Sequence, residues 1–222
     1  MLVRHHIAIT RQAIGADVSP RALEVIVRAN LRQDGLRCQF GHARFHFDNN
    51  QFDQSYAYIE EQRALVRASL QRGDAQSAWR AFGRMIHTAQ DFYAHSDYIP
   101  RWLSRFNYSP RSEAERDGGT PPPPPEVDPV SPDIFHDPGL RSGKLYYPLE
   151  ALAFIPFLKK LILPLLPSDS HAHMNFDDRD DKGLFDHVFH ASVKRTRLEF
   201  EKTAALLPSN LLALFKGTQV HT

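Results

Sequence analysis

Cysteine is almost absent from this sequence: Cys38 stands alone among 222 residues. No intramolecular disulfide can form, and a thiolate zinc finger is excluded. An excess of either charge is missing too, since 27 Lys and Arg oppose 26 Asp and Glu for a net charge of +1. That balance leaves no basic stripe with which to grip duplex nucleic acid. There is no alternating strand pattern, no internal repeat, and no apolar run long and uninterrupted enough to span a bilayer. The opening Met1-Leu2-Val3-Arg4-His5-His6 lacks the apolar core and small-residue cleavage site of a signal peptide. The chain is therefore expected in the cytoplasm at synthesis, with any export by a non-classical route.

What remains is helix. Apolar residues make up 42% of the chain, enough for a real core, and an all-α single domain over residues 1–222 is expected. Ile7, Ile9, Ala13 and Ile14 pattern a first helix up to Gly15. Ser19-Pro20 reads as an N-cap and first turn, followed by Leu23, Ile26, Val27 and Leu31 at helical spacing. Two strong helices are expected from about Phe52 to Leu70 and from Ala75 to about His95, and another from Leu184 to Leu207 before a short one at Asn210 to Lys216. Between them, about 109–147 holds Gly118-Gly119 and the proline run Pro121 to Pro125, predicting a polyproline-like surface loop.

The segment at about 149–167, LEALAFIPFLKKLILPLLP, is apolar apart from Glu150 and the Lys159-Lys160 pair. Three readings stay open: a core helix with a loop, an oligomer contact, or a hairpin dipping into a membrane interface with the lysines at its tip. In the third, Phe154, Ile155, Phe157, Leu158, Leu161 and Ile162 are the membrane contacts, and a phospholipid surface is the partner.

Twelve histidines focus the chemistry. On a helix, His87, Asp91 and His95 at i, i+4 and i+8 drift only about 40° per step and share a face. Imidazole and carboxylate form the set zinc prefers when thiolates are lacking. The surrounding Ile86, Phe92, Tyr93 and Ala94 imply that this face is buried, where unpaired charge is costly. His46 and Asp48, in irregular chain, are candidates for the same cluster, although Asp48 also suits a helix cap. From His171-Ala172-His173 the choice is His171, and from His187 and His190 it is His187. The run Asp177-Asp178-Arg179-Asp180-Asp181 reads as a solvated charge cluster.

The helix AFGRMIHTAQDFYAHSDYIPRW resembles the signature of the HET-C family, itself similar to zinc-dependent phospholipase C and the S1/P1 nucleases. His6-Ile7-Ala8-Ile9-Thr10 and Phe45-His46-Phe47-Asp48-Asn49 resemble two further blocks. The resemblance implies a multi-helix phospholipase C/P1 nuclease-like bundle holding one to three zinc ions. It implies metal ligation by His6, Asp48, His87, Asp91 and His95, with one histidine from each later pair. The chain departs from those enzymes in having no tryptophan before Trp79 and no histidine between Asp48 and His87. The expected activity is phospholipase C-like hydrolysis of phospholipids by an effector or incompatibility toxin, with Asp48 as both ligand and general base. The alternatives are a single-strand nuclease using Tyr98, Trp102 and Phe106 as stacking platforms, and a membrane-acting protein whose zinc is structural.

Overall fold

The computed structural model describes residues 1–35, 38, 41–108, 126–153, 155–178 and 183–218. The Pro121 to Pro125 run and Phe154 lie outside the described residues. Within them there is no strand, only isolated bridges pairing Ser96 with Ser142 and Lys144 with Ser170. The helices are α1 (Val3–Ile14), α2 (Pro20–Leu31), α3 (Phe52–Gln71), α4 (Ala75–His95) and α5 (Tyr98–Ser104). After the undescribed stretch come α6 (Pro132–Phe135), α7 (Leu149–Ala153), α8 (Pro156–Ile162), α9 (His171–Met174), α10 (Phe185–Ala205) and α11 (Ser209–Lys216). The fold is all-α, as the periodicity predicts.

Local chemistry sets the boundaries. The Ser19 side chain accepts from Ala22 N at 3.2 Å with Pro20 in the first turn of α2, and Asp74 accepts from Ser77 N at 3.0 Å to start α4. Helix α4 is the axis of the bundle, packed by α2, α3 and α10, while α1 lies across α2 and α10. Every residue of α4 from Met85 to His95 is buried. Its side chains there are apolar toward the core, with Phe82, Met85, Ile86, Phe92 and Tyr93 at most 1% exposed. Its polar residues can only face other buried polar groups.

Gly83 brings α2 and α4 unusually close. A Cβ at that position would stand 2.4 Å from Ile26 O and 2.8 Å from the Ala29 Cβ. The approach puts Asn30 of α2 beside His87 and Gln90 of α4. Between α3 and α10, Glu199 is fully buried and bonded by Arg195 Nε at 2.6 Å and by Arg63 Nη2.

Two expectations about the middle of the chain are corrected. Residues 126–147 are not simply a surface loop: Val127, Ile134 and Leu140 join the main core. Tyr98 Oη donates to Asp128 O at 2.6 Å and accepts from Ser131 N at 2.9 Å, which supplies buried backbone groups with partners. In the apolar segment, the lysines are not at a hairpin tip; they lie within α8, and the turn falls near Ile155. Ala153, Ile162 and Leu166 form a small separate core with Leu158 packed against it. Ile162 and Leu158 thus point inward, against the expectation that they touch a membrane, because a two-helix unit must bury one face. Phe157 at 81%, Leu161 at 71% and Leu165 at 65% exposure form the outward stripe, beside exposed Lys159 and Lys160. Ile155 is half-buried. No described helix is long and apolar enough to cross a membrane.

Candidate metal centre

The His87-Asp91-His95 stripe opens onto two neighbouring groups of ligand atoms. Drift of about 40° per step accumulates to about 80° by the third residue, so His95 turns away from the side that His87 faces. The first group joins His6 of α1, Asp34 from the turn after α2, and His87 and Asp91 of α4. His6 Nε2 lies 3.3 Å from Asp91 Oδ1 and 3.7 Å from Asp34 Oδ2, and His87 Nε2 lies 3.0 Å from Asp91 Oδ2 and 3.6 Å from Asp34 Oδ1. Four ligands bound to one zinc at 2.0–2.1 Å stand about 3.3 Å apart, and these separations bracket that value.

The second group joins Asp48, His95 and His171. Asp48 Oδ1 lies 2.9 Å from His171 Nδ1 and 3.4 Å from His95 Nδ1. His46 links the two groups, with Nδ1 2.9 Å from Asp91 Oδ2 and 3.2 Å from His87 Nε2.

A backbone strut assembles the second group. Gly143 N donates to His95 O at 2.9 Å, Asn49 N to Gly143 O at 2.8 Å, and His171 N to Lys144 O at 2.8 Å. Side chains reinforce it, with Ser142 N donating to Asn50 Oδ1 at 2.7 Å and Leu145 N to Asn49 Oδ1 at 2.8 Å. A Cβ at Gly143 would stand 2.5 Å from His171 Cα, so only glycine allows this approach. On the other side, Phe47 and Asn49 hold φ near +59° and +58° around Asp48. A buried phenylalanine in the left-handed region is strained by about 1–2 kcal/mol, which the packing of Phe47 against Phe92 and Tyr56 offsets.

Electrostatics separate the two groups. Burial holds His87 down to about 4, so it stays neutral, as a metal ligand must be. Burial also opposes charge on His95, yet Asp91 and Asp48 outweigh it and raise His95 well above the ordinary range. His95 Nδ1 donates to His46 O at 2.8 Å, and Nε2 lies 3.2 Å from Asp177 Oδ1. Against its own burial, Asp48 is held well below the usual carboxylate range by His171 and His95. Of the two roles expected for Asp48, this placement between two imidazoles favours ligand over base.

Buried polar atoms are nearly always hydrogen-bonded. Yet His6 Nε2, Asp34 Oδ2 and His46 Nε2 are all buried in this one place without a hydrogen-bond partner. The donor set and the unpartnered His6 Nε2 and Asp34 Oδ2 together fit a zinc-class cation in the first group. Above the cluster an open pocket of about 290 Å3 is lined by His46, Asp48, His95, His171 and Asp177, with Leu2, Val3, Leu145 and Tyr147 among its other walls. The Met1 amino group also reaches in, 2.9 Å from Asp177 and 3.2 Å from Asp91.

Of the sequence candidates, His6, His46, Asp48, His87, Asp91, His95 and His171 converge. His187 does not: it packs edge-on against Tyr108 and belongs to neither group. Asp34 and Asp177 escaped the sequence reading. Asp34 carries no motif, and Asp177 looks like part of a solvated acidic run. Phe176 N donates to Ala94 O at 2.7 Å and buries its ring, which swings Asp177 onto the site. The proposed stacking platforms are not there either: Tyr98 is fully buried, and neither it nor Trp102 or Phe106 lines the pocket.

Residues 6–111 match the family model described as the VWA7 N-terminal domain. The match spans just under half the chain and carries His6, Asp34, His46, Asp48, His87, Asp91 and His95, but not His171 or Asp177. It corrects the resemblance drawn from the α4 motif, because the segment holding that motif matches the VWA7 N-terminal domain rather than HET-C or a phospholipase C or nuclease family. A His-Asp-His stripe on a buried helix is a general way to line a polar cavity in a bundle, so the motif alone does not separate families. The effector or toxin role rested on that resemblance and goes with it. No curated protein and no solved structure matches the chain.

Proposed function

We propose that this protein is a zinc-dependent phosphodiester hydrolase acting on phospholipids. The observation that carries the reading is the pair of buried, unpartnered ligand atoms on His6 and Asp34 beside an open pocket. His6, Asp34, His87 and Asp91 would hold one ion, and Asp48, His95 and His171 offer a second position beside it. Bound zinc lowers the pKa of a coordinated water toward about 7 and neutralises phosphate oxygens. The chain's own residues shape what meets it. Leu2, Val3 and Tyr147 are exposed on the pocket side, giving the mouth an apolar rim suited to a substrate with acyl chains. Leu149 and Leu152, half-exposed on α7, continue apolar surface toward the α8 stripe. Lys159 and Lys160 supply charge for anionic headgroups.

A second reading shares the same metal: the zinc is structural, and the exposed stripe alone binds membranes. The test is diacylglycerol release from phosphatidylcholine vesicles containing phosphatidylserine, with the protein purified without chelator. Zinc near or above one per chain and release that His87→Ala removes support hydrolysis. Bound zinc with vesicle binding but no release supports the structural reading. Less than one zinc per chain overturns both.

A further inference from the structure

The ligand histidines are addressed from behind by a pair of buried amides that no motif marks. Gln90, one residue before Asp91, has both ends of its side chain committed. Its Nε2 donates to Thr196 Oγ1 at 3.0 Å and to Thr10 Oγ1 at 3.2 Å. The Thr196 hydroxyl proton is already given to Ser192 O at 2.8 Å, so that oxygen can only accept from Gln90. The amide orientation is therefore fixed, and Gln90 Oε1 must be an acceptor. It accepts from Asn30 Nδ2 at 3.0 Å and from His6 Nδ1 at 2.6 Å. With Asn30 Nδ2 so used, Asn30 Oδ1 is the acceptor facing His87 Nδ1 at 3.1 Å.

One chain of acceptors thus dictates two tautomers. His6 and His87 both carry their proton on Nδ1, and both turn Nε2 lone pairs toward Asp34 and Asp91. The rings stack 4.4 Å apart at 25°, which holds the two lone pairs side by side. His46 Nδ1 has its nearer acceptor in Asp91 Oδ2, so its proton does not supply His87. The Met1 ammonium, 3.2 Å from Asp91 Oδ1, and His46 Nδ1–H at Asp91 Oδ2 each meet one Asp91 oxygen, whereas His6 Nε2 and Asp34 Oδ2 are left with no hydrogen-bond partner, a lack that a divalent cation between them would fill.

We infer that Gln90 and Asn30 are positioning residues that preset His6 and His87 as Nε2 donors to a zinc-class divalent cation. The inference rests on the metal reading above, but its first test does not. In metal-free wild-type protein, long-range 1H–15N spectra of the histidine side chains should show both His6 and His87 as Nδ1–H tautomers. An Nε2–H form at either ring overturns the relay, whatever zinc does. Zinc affinity by competition with a chromophoric chelator is the second measurement. Asn30→Leu removes the acceptor for His87 and should weaken zinc by about 10–100-fold, the usual cost of losing an outer partner. Asn30→Asp keeps an acceptor and should return most of that affinity. If Asn30→Leu fails to fold, Asn30→Asp and the wild-type tautomers still decide. Unchanged affinity in a folded Asn30→Leu, or an Asn30→Asp no better than Asn30→Leu, overturns the inference. Absence of any zinc binding with correct tautomers would overturn the metal reading and leave the amide relay standing as a neutral polar network.

Discussion

At the scale of single residues, Asp34 is where the structure adds most. Nothing around it in Leu31-Arg32-Gln33-Asp34-Gly35 distinguishes a ligand from an ordinary helix end. A short 3-10 turn carries its carboxylate over α4, 3.7 Å from His6 Nε2 and 3.6 Å from His87 Nε2. Asp34→Asn keeps the shape and removes the charge. It is expected to cut zinc affinity by at least the upper end of the roughly 10–100-fold seen for outer partners, with little change in helicity by circular dichroism. The convergence of His87 and Asp91 on one buried polar centre was legible because their spacing and apolar neighbours speak together. Asp177 was not, because acids in a run look solvated until Phe176 is known to be buried beside Ala94. His187 shows the opposite case: it joins neither group. One helical turn from His190 on an amphipathic helix, it has the pattern of a ligand, but its ring packs on Tyr108.

Elements were read more fully than residues. The starts of α2 and α4 follow from Ser19-Pro20 and Asp74, and the 3.6-residue pattern locates α3, α4 and α10 to within a residue or two. What periodicity lacks is distance between helices. Gly83→Ala inserts a methyl group against backbone at Ile26 and is expected to cost about 1–3 kcal/mol, read as a lower midpoint in urea with unchanged slope. Because Asn30 lies just past that contact, the same substitution should loosen zinc as well. A second expectation belongs to the α3–α10 pair. Burial would raise the pKa of Glu199, but Arg195 and Arg63 outweigh it and hold it below its ordinary 4.5. A depressed carboxylate contributes stability that is complete above its unfolded pKa and disappears as pH falls through the folded one. The contribution of Glu199 to thermal stability should therefore hold down to about pH 4.5 and decline below it. Glu199→Gln, which takes the buried carboxylate from Arg195 and leaves Arg63 with Glu60, should cost about 3–5 kcal/mol at pH 7 and flatten that acid limb.

For the whole molecule, the sequence indicates an all-α bundle and one polar centre, while the split of that centre into two groups needed three dimensions. The apolar segment resolves into a two-helix unit whose outer stripe is Phe157, Leu161 and Leu165. Replacing Phe157 and Leu161 with glutamate should abolish sedimentation with phosphatidylserine-containing vesicles while leaving zinc content and melting temperature in place. Retained sedimentation would remove the stripe from the membrane reading.

The strut at residues 142–145 has a bearing on how the chain can be divided. Family similarity stops at residue 111, whereas the site does not: Gly143, His171 and Asp177 all come later. A protein cut anywhere between 111 and 126 would still have both portions stitched by the Gly143–His95, Asn49–Gly143 and Leu145–Asn49 hydrogen bonds. The two pieces are expected to co-elute after such a cut and to separate only in denaturant. The first piece alone would keep its own four-ligand group but lose the floor beneath His95. The later portion therefore acts as a keystone for a centre whose recognisable residues nearly all lie elsewhere.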